Sequence, residues 1–210
     1  MEKQIILAVL TKSSKYSKYC VAGIDWKTGA WYRLITDDES SHGAVGAQDL
    51  IDANGRECDI LDVVQVPVIT RGNNILQPEN VLIDQSKDLT ILGKTTLEEI
   101  LKIHPAEIND YVLGNKYAYI KETKVDQIGH SLTLIKVNDI QIRQVSNPEG
   151  NPKTKADFTY MFEQYENLSV TDYRFYSMPH GTHFDNAYLV VSIGSAYNGR
   201  YYKFVSAIYV

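Results

Sequence analysis

The chain has 210 residues, 44% of them hydrophobic and 22% charged, which is the balance of a soluble globular protein with room for one large β-domain or two small ones. A net charge of −5 excludes a generally cationic polyanion binder, so any nucleic-acid site has to be a local basic patch. Two cysteines exclude a disulfide framework, and no apolar run reaches the length of a membrane span.

The opening MEKQIILAVL has only a brief apolar run and no small-residue cleavage site, so it does not read as a signal peptide and the expectation is a cytoplasmic protein. Residues 5–10 form a continuous apolar run of strand length. KSSKYSKY (residues 12–19) then reads as a short loop in which Lys12, Lys15 and Lys18 interleave with Tyr16 and Tyr19. Cys20 falls in a strand-like run and reads as a small buried hydrophobe. VAGIDWKTGAWYRLIT (21–36) is an apolar run, a turn with Gly29 and an alternating strand, the pattern of a hairpin. VVSIGSAYNGRYYKFVS (190–206) repeats that pattern at the far end, its YYKFVS matching WYRLIT in kind at every position. Such a match predicts a chain built from two related β-units.

Alternation puts Trp31, Arg33 and Ile35 on one strand face, with Tyr201, Lys203 and Val205 together in the second copy. Each face combines an aromatic with a cation, which is what a stacking-plus-charge platform for nucleic acid needs. It is also what an exposed sheet face with a snorkelling cation looks like. Charge is segregated nearby: residues 11–36 carry five cations against Asp25, and residues 37–62 carry eight acids against Arg56, the latter reading as a solvated acidic loop.

Further along, AQDLID predicts one helical turn, and ILDVVQVPV a strand whose Pro67 marks an edge or end. NVLI and LTIL read as short strands. Thr95 or Thr96, with Glu98 or Glu99 three residues on, makes a capping box for a short helix that Pro105 stops, with Leu97, Ile100, Leu101 and a packed His104 on one face. Residues 106–123 are ambiguous. Residues 132–137 and 140–145 read as two strands about an Asn138-Asp139 turn, 158–165 and 168–176 as alternating strands, and NPEGNP (147–152) and PHGTH as loops. The boundary between units falls around the helix, giving residues 1–95 and 96–210. The fold class is mainly β, two small OB-like barrels with at least one short helix.

YCVAGIDWKTGAWYRLI resembles the opening signature of the dual OB-fold domain family found in bacterial conflict and genome-defence contexts. ILDVVQVPV with QPENVLID is similar to the family's second signature, LSVTDYRF to its third, and AYLVVSIGSAYNGRYYKFVSAI to its closing hairpin. The chain departs in having Leu34 where the family usually follows the arginine with proline. The resemblance implies two OB-type barrels that sense nucleic acid or a nucleotide-derived ligand. It makes residues 12–19 the loop joining the first two strands, a usual ligand-contacting loop of such barrels.

The functional expectation is a non-enzymatic module binding nucleic acid, single-stranded or RNA in preference to duplex. Its contact set is Lys12, Lys15, Tyr16, Lys18, Tyr19, Trp31, Arg33, Tyr201 and Lys203. Sensing of a small nucleotide-derived ligand and a protein-interaction role are the alternatives. No catalytic residue, cofactor or metal is assigned. Glu122-Thr123-Lys124 after Asp110 has the acid-x-lysine form of metal-dependent nucleases, but three-residue matches arise freely. His180, His183 and Asp185 offer metal ligands from one loop without the fourth that structural zinc sites take.

Overall fold

The computed structural model describes residues 3–15, 17–72, 74–147 and 149–210, Lys15 by its backbone alone. Tyr16 and the side chain of Lys15, both in the expected contact set, lie outside the described residues. The chain divides into two compact units, Met1–Pro105 and Ala106–Val210. The helix predicted at the boundary therefore belongs to the first unit.

In that unit β1 (Gln4–Lys15), β2 (Lys18–Asp25), β3 (Trp31–Ile35), β4 (Asp62–Arg71) and β5 (Asn80–Ile83) form a closed sheet. β1 pairs antiparallel with both β2 and β4, bending at an irregularity between Val9 and Thr11. The parallel pairing of Arg33, Leu34 and Ile35 with Asn80, Val81 and Leu82 closes the barrel. β6 (Thr90–Lys94) adds to β4. Leu7, Val9, Val21, Leu34, Val64, Val66 and Val81 fill the interior, and a side chain on Gly23 would overlap the Ala8 carbonyl, so only glycine lets β2 lie this close to β1. α1 (Leu97–Ile103) starts with the expected capping box, Thr96 accepting from the Glu99 amide and Glu99 accepting from the Thr96 amide, and buries Ile100.

The second unit repeats the topology with β8 (Leu132–Ser146), β9 (Pro152–Tyr160), β10 (Glu163–Val170), β11 (Thr182–Tyr197) and β12 (Arg200–Tyr209). Ser169 and Val170 pair in parallel with Phe204 and Val205 to close it. The short β7 (Tyr119–Lys121) pairs with the start of β12, ahead of the residues that meet β10, and leads into α2 (Glu122–Val125). Phe158 stacks on Tyr165 in the core, ring centroids 5.2 Å apart.

Four local expectations are corrected. The sequence 12–19 is no loop: β1 runs to Lys15 and β2 starts at Lys18, the two strands pairing antiparallel as far as Lys15 opposite Lys18. Asn138-Asp139 is no turn either. β8 continues through it with Asp139 in the left-handed region: β11 pairs in unbroken register on both sides (Asn138 with Asn186, Ile140 with Phe184), and the extra residue is a bulge against β9, where Asn138 faces Thr159 and Gln141 faces Asp157. Residues 158–165 do not make one strand but reverse at Met161 and Phe162, both with positive φ and without the Asn-Gly that such turns favour. Finally, β4 runs straight through Pro67, which marks the place where its partner changes from β1 to β5.

The two hairpins that resemble each other occupy different places. The first is strands two and three of its barrel, and the second is strands four and five of the other. Their pairing also differs, with Ile24 opposite Trp31 but Ile193 opposite Lys203. What they share is that the outgoing strand of each makes the parallel closure. A common local task, lining a barrel seam, produces the common pattern.

Candidate functional site

On strand β3 Arg33 lies on the face opposite the core residue Leu34, yet it is only 8% exposed, and its Nη2 lies 3.5 Å from Oε1 of Glu79, itself buried. Burial lowers the Arg33 pKa, and the neighbouring Glu79 opposes the shift. Its strand neighbour Trp31 is half-buried and meets the His104 ring edge-on at 5.5 Å, and His104 Nδ1 lies 2.8 Å from the Gly29 carbonyl. Lys12 is buried too, donating to Glu57 Oε1 at 2.6 Å and to the Cys58 carbonyl at 2.8 Å, with its Nζ 4.9 Å from the Tyr19 ring centroid. Lys18 pairs with Asp38 at 2.7 Å, which together with Ser40 and Ser41 holds the Asp38 carboxyl well below the usual range. The acidic stretch 37–62 is thus no merely solvated loop, since it supplies the partners of Lys12 and Lys18. Cys58, not Cys20, is the buried thiol, and burial pushes its pKa up to about 12.

In the second barrel Lys203 is 1% exposed, far from a surface platform. Its Nζ donates to the carbonyls of Val112 and Asn115, each at 2.6 Å, and to Asn115 Oδ1 at 2.9 Å. Tyr201 is half-buried opposite Ile120, and its hydroxyl pKa is raised by burial, then by Glu122 and Asp126. An acidic setting does not suit a phosphate contact. The structure therefore does not assemble the expected set into one face, and it buries both Arg33 and Lys203.

The opposite face of β12 carries what the expected face lacks. Tyr202 lies directly across from Tyr119 of β7, and Arg200 across from Lys121. The rings form a row: Tyr117 to Tyr119 at 6.2 Å, Tyr119 to Tyr202 at 6.1 Å and Tyr202 to Tyr197 at 6.5 Å between centroids. Tyr117 and Tyr197, at its ends, are 60% and 66% exposed. The Arg200 guanidinium sits 4.3 Å from the Tyr119 ring centroid. Arg200 and Lys121 are both exposed, and neither has a carboxylate partner among the described residues. Like charges directly opposite each other on a sheet are destabilising, so this pair is held at a cost. The sequence did carry a signal: in KYAYIK (116–121), Tyr117, Tyr119 and Lys121 fall at i, i+2 and i+4, one strand face.

The acid-x-lysine run Glu122-Thr123-Lys124 lies on the exposed side of α2. His183 approaches Asp139 and Asp185 at 3.7 and 3.8 Å, while His180 Nδ1 lies 3.0 Å from the Gln144 carbonyl. No group of three or more metal-ligating side chains forms among the described residues. Among them no helix is long and apolar enough to cross a membrane.

Five strands in each unit, closed by a parallel pairing of the third with the fifth, define a tandem OB-fold protein. The chain matches the dual OB-containing domain over residues 3–208 and belongs to that family. Among solved structures it is similar to the p204 HINb domain (9% identity, TM-score 0.40, covering 98% of this chain and 96% of that one). It is also similar to the Ifi202 HINa domain solved with a 20-bp double-stranded DNA (11% identity, TM-score 0.35, covering 97% and 91%). No curated protein matches it.

Proposed function

We propose that the protein is a non-enzymatic nucleic-acid-binding module, and that the tyrosine row of the second barrel with Arg200 and Lys121 is its contact surface. The observation that carries this reading is the pair of adjacent cations, neither with a carboxylate ion-pair partner among the described residues, beside a continuous row of partly exposed rings. Cations next to flat faces match a backbone of phosphates with bases beside it. A single strand or unpaired RNA is the favoured form, because an exposed ring stacks on bases that a duplex keeps stacked inside. A sensing role in a bacterial defence setting accords with what the sequence signatures imply.

Fluorescence anisotropy with labelled single-stranded RNA, single-stranded DNA and duplex DNA at two salt concentrations tests the reading. Wild type binds the single strands with a salt-dependent affinity. Stacking is worth about 1–3 kcal/mol per base, so Tyr119→Ala or Tyr202→Ala weakens binding roughly 5- to 150-fold. Arg200→Glu weakens it and flattens the salt dependence. Unchanged affinity in all three variants overturns the proposed surface, and a duplex preference overturns the strand assignment.

A further inference from the structure

Half of the tyrosine row rides on a segment with little regular structure. Between Val112 and β7 the backbone makes one tight turn in which Leu113 and Gly114 both take positive φ. The carbonyls on either side of this turn, those of Val112 and Asn115, converge on Lys203 Nζ. Three acceptors within 2.9 Å match the three hydrogens of an ammonium group. Asn115 extends the connection outward: its Oδ1 accepts from the Tyr117 amide at 2.9 Å and its Nδ2 donates to the Tyr119 carbonyl at 3.2 Å. The Lys203 amide donates to the Ala118 carbonyl at 2.9 Å, and the Val112 amide donates to the Tyr165 hydroxyl at 3.0 Å.

We infer that Lys203 is a positioning residue, an interior pin that fixes residues 112–119 and through Asn115 sets Tyr117 and Tyr119 in line with Tyr202. The effect on binding rests on the tyrosine row being the nucleic-acid surface; the pin itself does not.

A proton-linked signature follows from the site. The groups facing Lys203 are neutral: the Tyr165 ring of β10, 5.9 Å from Nζ, the carbonyls of the turn, Ile193 of β11 across the sheet, and Tyr201 two residues along β12 on the same side. Farther out, Glu122 and Asp126 of the α2 region act on Tyr201 but do not contribute at Lys203. The acceptors favour the ammonium form and burial opposes it; burial prevails and pulls the pKa from 10.5 down to about 7. When the segment opens, Lys203 meets water and regains its ordinary pKa. Between these two values the open form binds more protons than the closed form. Closure therefore strengthens as pH rises through that window and is weakest below it.

The test is amide hydrogen exchange over residues 112–119 of the full chain, corrected for intrinsic rates, from about pH 6 to about pH 9. In wild type, protection increases with pH. Lys203→Met removes that dependence and all three side-chain bonds, and opening over 112–119 increases by about tenfold or more while β8 and β11 stay protected. Asn115→Ala, which leaves the buried lysine in place, raises opening by a smaller factor and keeps the pH dependence; it decides the matter if Lys203→Met fails to fold. Protection of 112–119 unchanged in the folded variants, or a pH dependence that survives Lys203→Met, overturns the pin. Loosening of 112–119 with no loss of RNA affinity keeps the pin and sinks the proposed binding surface.

Discussion

The two barrels share a topology, but the cations the sequence singles out in the first are handled differently from those along β12 and β7 in the second. In the first, Lys12, Lys18 and Arg33 face Glu57, Asp38 and Glu79, acids drawn from distant parts of the same unit. In the second, Lys203 is sealed inside among carbonyls, while Arg200 sits over the Tyr119 ring with Lys121 across from it, neither with a carboxylate partner among the described residues. The run of five cations between residues 11 and 36 would favour the first barrel as the polyanion binder. Following each one to its partner favours the second. An internally paired cation has little charge left to offer a phosphate, whatever its place in a motif.

The sharpest way to break this comparison is to remove the most deeply paired cation. Arg33→Met leaves buried Glu79 facing no guanidinium, and losing one partner of a buried ion pair costs about 3–5 kcal/mol. Denaturant unfolding reads that loss, and the affinity of the folded fraction for RNA stays at the wild-type value. Lys12→Met comes next. It strips a donor from the Cys58 carbonyl but leaves Glu57, half in solvent, able to rehydrate, so the cost is about 1–3 kcal/mol, again without loss of binding. Lys18→Ala is the mildest. Its ion pair with Asp38 is exposed and screened by solvent, so its loss lowers stability least of the three. Because that partner holds the Asp38 carboxyl down, the pair's contribution is present above the ordinary carboxylate range and is lost as pH falls through the native value. Lys18→Ala removes much of that acid-side loss. If any of the three weakens RNA binding while leaving stability intact, the first barrel carries contact residues and the contrast fails.

Most of the barrel framework was readable because strands filling a small closed sheet must alternate or run apolar. The hairpin 21–36, the helix cap at Thr96 and the strands of the closing hairpin all follow from local pattern. The bulge at Asp139 and the reversal at Met161 and Phe162 did not, since partner strands fix them and the residues present are poor turn formers. The expected contact face came apart for a related reason. WYRLIT and YYKFVS have aromatic residues on both faces, so alternation cannot say which face is wet. The decision rests on whether a buried partner waits for the cation. Glu79 lies 46 positions from Arg33, and Val112 lies 91 from Lys203, beyond any local window. Tyr117 and Tyr119 sat in a stretch with no clear element, and β7 exists only because β12 offers it an edge.

The seam that closes each barrel is short, three residue pairs in one and two in the other. It also joins segments far apart along the chain: Arg33 with Asn80 in the first, Ser169 with Phe204 in the second. Zipping up the antiparallel strands brings rewards early, hairpin by hairpin, whereas the seam demands its loop-closure entropy before returning two or three pairs. Each barrel should therefore assemble as an open curled sheet that latches late, and its latch should be the first part to let go under denaturant or load.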